Sequence, residues 1–154
     1  MLPPGDPRSA SALYAFMEEL SVRWFGRPVS DAEVREGLRD FPSDDLQPPH
    51  GLLVVAHRDG AAVGCAGLRF VEEELGEATR VYVAPAERRR GLARALMSEV
   101  ERLAREHGIA RLRLDTRADL VEARRLYEGL GYTEVPRFND SIHAGHWFEK
   151  RLGA

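Results

Sequence analysis

The sequence predicts a mixed α/β fold, a mostly antiparallel central sheet with helices on its faces. Three patterns carry that expectation. Two apolar runs, Leu52–His57 and Ala61–Val71, flank Asp59-Gly60, a hairpin signal that pairs them antiparallel. A strand, a strongly periodic helix and another strand then follow one another between Glu77 and Asp115, the order of a parallel crossover. A further amphipathic helix and two short strand candidates complete the chain.

In order, Met1–Arg8 holds three prolines and a glycine and reads as an irregular tail. Ser9 or Ser11 caps a helix running to about Gly26, with Leu13, Phe16, Met17, Leu20 and Trp24 recurring on one side. Gly26 and Pro28 break it. Ser30, spaced from Glu33 as in a capping box, starts a second helix carrying Val34 and Leu38, which ends in the Pro-rich loop Phe41–Gly51. After the hairpin and the acidic turn Glu72–Gly76, Glu77–Val83 alternates as a third strand. The helix from about Arg89 to His107 buries a stripe of Leu92, Leu96, Val100 and Leu103, with Ala93, Met97 and Ala104 beside it. Gly108 stops it, and Ile109–Asp115 alternates apolar and charged. Leu120, Ala123, Leu126, Tyr127 and Leu130 mark the next helix, closed near Gly131. Tyr132–Arg137 and His143–Arg151 are the last strand candidates.

The chain has 154 residues, which predicts one domain over 9–154 behind the 1–8 tail. With 44% hydrophobic and 31% charged residues it excludes wholesale disorder. A net charge of -3 leaves no global basic field, and no aromatic-basic pattern surrounds Arg88–Arg90, so nucleic acid is not an expected partner. All but one of the 22 basic residues are arginine, Lys150 being the exception, so an arginine cluster means less here than elsewhere. Cys65 stands alone, which excludes an intrachain disulfide and a multi-cysteine metal site. It reads as a small buried residue. His143 and His146, three apart on a strand, would face opposite ways, and no metal is expected. No apolar run approaches the ~20 residues of a spanning helix. The chain is read as cytoplasmic, with no membrane partner.

The chemistry is expected where the third strand stops at Pro85 and Arg88–Arg90 lead into Gly91 and the periodic helix. A helix's first turn has backbone N–H groups without intrahelical partners and a partly positive dipole end, which suits an anion, phosphate above all. Arg88-x-x-Gly91-x-Ala93 resembles the acyl-CoA signature of the Gcn5-related N-acetyltransferase family, as does its place between strand and helix. A second block is more specific: Ala123, Leu126, Tyr127, Gly131 and Tyr132 match that family's Ala-x-x-Leu-Tyr-x-x-x-Gly-Tyr/Phe. The order of elements from about Ser9 to Leu152 is also similar to the family's, except that its first strand has no counterpart in Met1–Arg8.

The resemblance implies the acyl-CoA N-acyltransferase fold, with a parallel pair that splays at the strand before the CoA helix. Backbone groups of Val81 and Val83 would then pair with the pantetheine arm of acetyl-CoA, the cosubstrate. Arg88, Arg89, Arg90, Gly91, Leu92, Ala93 and Arg94 would wrap its pyrophosphate. Tyr127 would protonate the departing thiolate, and Glu77, with Glu72 and Glu73 as alternatives, would take the proton of the acceptor amine. Many relatives carry Asn where this chain has Leu120, which removes one polar contact to CoA. The implied activity is acetyl transfer to a primary amine by direct attack in a ternary complex. A small-molecule acceptor is expected, set by Tyr14, Trp24, Phe25, Phe41 and Phe138–Asp140. A peptide or protein amine is the alternative acceptor, and a silent CoA-binding regulatory module the alternative function. Exposure of Trp147 or Phe148 on the last strand would mark the edge of a homodimer.

Overall fold

The computed structural model describes residues 1–153. Its helices are α1 (Pro7–Phe25), α2 (Asp31–Asp40), α3 (Leu92–Glu106) and α4 (Val121–Gly129). Its strands are β1 (Gly51–Arg58), β2 (Ala61–Glu72), β3 (Leu75–Val83), β4 (Arg111–Thr116), β5 (Thr133–Val135) and β6 (His146–Arg151). They form one six-stranded sheet in the order β1-β2-β3-β4-β6-β5. Only β3 and β4 are parallel. The expected mixed, mostly antiparallel architecture is therefore the observed one.

Helix α1 takes in the last two residues of the predicted tail, Pro7 and Arg8. The Asp6 carboxylate accepts the Arg8 N–H at 2.9 Å and Pro7, its φ fixed near the helical value, fills the first helical position. Gly26, at φ 70, closes the helix by donating its N–H to the Val22 carbonyl. The capping box of α2 forms as expected, Ser30 and Glu33 each bonding the other's backbone N–H. In the β1–β2 hairpin Asp59 (φ 52) and Gly60 (φ 82) both take the left-handed conformation that a tight two-residue turn requires. The tail sends the Leu2 N–H to the Leu53 carbonyl on the outer edge of β1. Among the described residues no strand precedes β1, and this bond stands in the place of the family's first strand.

The sheet separates two apolar layers. Leu96, Met97 and Val100 of α3 pack with Leu112, Leu114 and Phe148 of the sheet and with Tyr127 of α4. On the opposite face Ala12 and Leu13 of α1 pack with Leu46, Leu53 and Cys65. Glu101, a buried carboxylate of α3, accepts hydrogen bonds from Tyr132 Oη at 2.9 Å and Lys150 Nζ at 2.9 Å, tying α3 to β6 and to the turn after α4. The last strand is interior, with β4 on one side and β5 on the other. Phe148 is fully buried and the Trp147 indole N–H is bonded to Asn139, so neither residue provides the exposed edge that would mark a dimer. Among the described residues no helix is long and apolar enough to cross a membrane.

Candidate active site

β3 and β4 are paired only between Leu75–Glu77 and Arg111–Arg113. Beyond that point β3 stays with β2 to Val83 while β4 runs on with β6 to Thr116, so a gap opens between the parallel strands. An irregularity between Cys65↔Tyr82 and Gly67↔Thr79 marks a bulge in β3, centred on Arg80 at φ 56. The Arg80 guanidinium holds it there, donating to Ser43 Oγ, Thr79 Oγ1 and the Phe41 carbonyl, each at 3.1 Å. After the bulge the Ala84 N–H bonds the Val63 carbonyl of β2, so strand alternation turns the backbone of Val83 away from β2. The Val83 carbonyl accepts Arg88 Nε at 3.0 Å.

A single 3-10 turn, Pro85–Glu87, leads to the junction, where Arg89 (φ 66) and Gly91 (φ 80) both lie in the left-handed region. These two residues delay the helix, so α3 starts at Leu92 rather than at the expected Arg89. Among the described residues no protein acceptor is bonded by any backbone N–H from Arg89 to Arg94. This is a row of donors at the positive end of a helix. A Cβ at Gly91 would meet nothing within 4 Å, so this backbone is open to a ligand.

The junction arginines divide by partner. Arg88 reaches across to Glu19 of α1 at 2.6 Å, and Arg90 leans to Glu87 at 3.9 Å, which Arg58 also holds at 3.1 Å. Arg89 and Arg94 have no ion-pair partner among the described residues, Arg94 lying along Gly129 of α4. Leu92 and Ala93 lean on the core, contributing backbone rather than side chain to the junction.

Tyr127 lies in the core beneath α4, and Glu77 is the last residue of β3 paired with β4 before the gap opens. Tyr127 is 5% exposed, its ring edge-on to Tyr132 at 5.9 Å and tilted on Phe148 at 6.1 Å. Burial, and secondarily the Asp115 charge, push its phenol well above the ordinary range, so it stays protonated. Glu77, half-buried beside Arg69 and Arg113 in register, has its carboxyl raised chiefly by burial. Arg113 opposes that shift and Asp115 adds to it.

Asp115 was not singled out from the sequence. It ends the alternating run Arg111–Asp115 and looks like one more solvent-facing charge. The signal that could have found it is its place at the carboxyl end of a parallel strand, where open α/β sheets bind ligands. Its carboxylate accepts Asn139 Nδ2 at 2.8 Å, while Asn139 Oδ1 accepts the Trp147 indole N–H at 3.0 Å and the Ser141 N–H at 3.2 Å. Those partners fix which way the amide points.

His143 lies in the loop before β6, not on the strand where it was expected. Its ring stands edge-on to Trp24 at 4.9 Å and Phe41 at 5.5 Å, and its buried Nδ1 has no partner among the described residues. Burial lowers its pKa, with Arg117 and Arg80 adding to the effect. Cys65 is buried, bonds the Arg80 carbonyl and has its thiol pushed up to about 12 by burial, which keeps it from being a nucleophile. Leu120 flanks α4 without a side-chain cap bond.

Three comparisons bear on this arrangement. The sequence model of the Acetyltransferase (GNAT) family matches residues 14–132. An uncharacterized N-acetyltransferase of Schizosaccharomyces pombe is 31% identical over 121 residues, 77% of this chain and 74% of that protein. The Escherichia coli uncharacterized N-acetyltransferase YjgM is 38% identical over 92 residues, 58% of this chain and 54% of its own length, so the chain spans about half of that relative. Among solved structures, the PaiA N-acetyltransferase of Thermoplasma acidophilum in complex with coenzyme A superposes with a TM-score of 0.69, at 17% identity and covering 91% of each chain.

Proposed function

The chain belongs to the acetyltransferase (GNAT) family, and on that premise we propose that it moves an acetyl group from acetyl-CoA to a primary amine of a small molecule, by direct attack in a ternary complex. The observation that carries the proposal is the row of unpartnered N–H groups from Arg89 to Arg94 at the mouth of the β3/β4 gap. Such a row can donate to the oxygens of a pyrophosphate, and Arg89 and Arg94, without an ion-pair partner among the described residues, can add charge-assisted bonds. The PaiA structure, of similar fold, is a complex with coenzyme A, which supports the same ligand class here. Val81 and Val83 are assigned to the pantetheine arm. The Val83 carbonyl is already bonded to Arg88 Nε, so Arg88 has to release it if the arm uses that carbonyl.

Acetyl-CoA supplies the activated thioester; the chain supplies position and proton handling. A free alkylamine, with a pKa near ~10, is mostly cationic at neutral pH and needs a base before it can attack. Glu77 is assigned that role, its raised carboxyl being a stronger base than an ordinary exposed one while remaining ionisable. Glu77 takes one proton from the ammonium before attack; as the C–N bond forms and the C–S bond breaks, the second nitrogen proton ends on the departing sulfur, whose developing charge the Tyr127 hydroxyl meets.

The Glu77 assignment predicts a pH signature. In the wild type kcat/KM falls as pH drops through the raised Glu77 pKa, because protonation removes the base. Glu77→Gln lowers kcat/KM about 10²-fold near pH 7, and the gap narrows as pH approaches the amine pKa, where the acceptor deprotonates unaided. Identical pH profiles for the two proteins would remove Glu77 from the mechanism. The wider reading is tested by thiol release from acetyl-CoA across a panel of small primary amines. Turnover with at least one of them is expected; CoA binding without thiol release for any amine would favour a silent CoA-binding module.

A further inference from the structure

One loop links the reaction gap to a second cavity. Asn139 bonds Asp115 at the end of β4, and His143, four residues on, walls a pocket of about 290 Å³ between α1, α2 and the loop. Its apolar wall is Met17, Leu20, Trp24, Phe41, Ile142 and the His143 ring. Trp24 is 49% exposed and Phe41 40%, so both leave ring surface uncovered at the cavity. The strand side of the pocket is fixed as well, because the Phe41 carbonyl is held by Arg80 of the β3 bulge.

Charge decides what can enter. The pocket is also lined by Glu36 and Asp40, neither of which has an ion-pair partner among the described residues. The arginines nearest His143 are engaged: Arg80 with Ser43 and the Phe41 carbonyl, Arg117 with Asp119 at 2.9 Å. The unpaired charge around the cavity is therefore negative. A carboxylate-bearing acceptor would meet repulsion, while an uncharged ring would cover the exposed faces of Trp24 and Phe41 and gain stacking contacts.

We infer that the acceptor is a primary amine with a ring-bearing apolar body and no carboxylate, its body in the Trp24–Phe41–His143 pocket and its ammonium received by Asp115, which Asn139 orients. The inference rests on the proposed amine acetylation and narrows its substrate class. Asp115 holds the ammonium as an ion pair, and Glu77, across the gap on β3, takes the proton.

The test is kcat/KM for phenethylamine, butylamine, putrescine and phenylalanine, with isothermal titration of phenethylamine in parallel. Phenethylamine is expected to exceed butylamine and phenylalanine at least tenfold, and putrescine, whose second ammonium would be drawn to Glu36 and Asp40, by a smaller factor. Trp24→Ala, at a half-exposed position where folding is verified by circular dichroism, should cut the phenethylamine-to-butylamine ratio about tenfold and weaken phenethylamine binding. Asp115→Asn should raise KM for phenethylamine at least tenfold. Thiol release with no ring preference, or with putrescine or phenylalanine favoured, would overturn the subsite while leaving the acetyltransferase reading intact. Phenethylamine binding that depends on Trp24 but gives no thiol release would keep the subsite and overturn amine acetylation. Neither binding nor ring-selective turnover would overturn the subsite.

Discussion

Tyr127→Phe is expected to lower kcat about a hundredfold, within the usual range for a lost general acid, while changing CoA affinity little. The substitution removes one oxygen from a ring that is otherwise packed on Tyr132 and Phe148, so the apolar contacts survive. Burial and the Asp115 charge act on the hydroxyl, and no hydrogen bond to it is seen among the described residues, so its loss orphans no protein group. Its raised pKa shapes the role proposed for it. A thiol near ~8.5 is a stronger acid than this phenol, so complete proton transfer to the thiolate is uphill, and the hydroxyl acts best as a hydrogen-bond donor while charge develops on sulfur. Single-turnover rates with CoA binding measured separately distinguish the outcomes. An unchanged rate when chemistry is rate-limiting would remove Tyr127 from the reaction.

The largest effect on stability is expected at Phe148→Ala, about 3–5 kcal/mol. Phe148 is completely buried in the middle of β6, opposite Leu114 on β4 and Glu134 on β5, and it backs the Tyr127 ring. Truncation leaves a void where strands and α4 meet, and the sheet cannot shift to fill it without losing register. For a domain of this size that corresponds to a melting point lower by about 10 °C. Urea denaturation and thermal melting measure it; a loss under about 1 kcal/mol would show that the site collapses far better than a close-packed interior allows. Because the void lies behind Tyr127, residual turnover in the folded fraction should fall too.

How much of this was legible in the sequence depended on distance along the chain. The Asp59-Gly60 hairpin, the Ser30–Glu33 capping box and the α3 stripe were readable because each is settled within a few residues by local sterics and periodicity. The Asp6-Pro7 start of α1 was equally local, but three prolines in eight residues masked it as tail. The bulge at Arg80 could not be read, since what holds it is a carbonyl 39 residues away on Phe41. Nor could the fate of Arg88, which sits in a recognisable motif yet pairs with Glu19, 69 residues earlier. The junction and the Tyr127 block were visible as motifs and Glu77 only through the family resemblance, whereas Asp115 and Asn139 meet because β6 pairs with β4 and carries its preceding loop to the end of that strand. Asn139 did carry a faint signal as one of two carboxamides in the chain. The place of the last strand in the sheet could not be read, because sequence order puts it last while the sheet puts it between β4 and β5.

The bond between Lys150 and Glu101 bears on how the protein would tolerate the acetyl-CoA proposed as its donor. Lys150 is the chain's only lysine, and its ammonium is 2.9 Å from Glu101, on a side chain only 22% exposed that also lies over the Tyr132 ring at 5.5 Å. A side chain held this way has its nitrogen turned to Glu101 and the Tyr132 ring rather than to a ligand in solution. The other basic residues are arginines, whose guanidinium groups stay protonated and do not act as acyl acceptors. The positive surface is thus built almost entirely from groups inert to acetylation, and a thioester released near it finds little lysine nitrogen on the protein to modify.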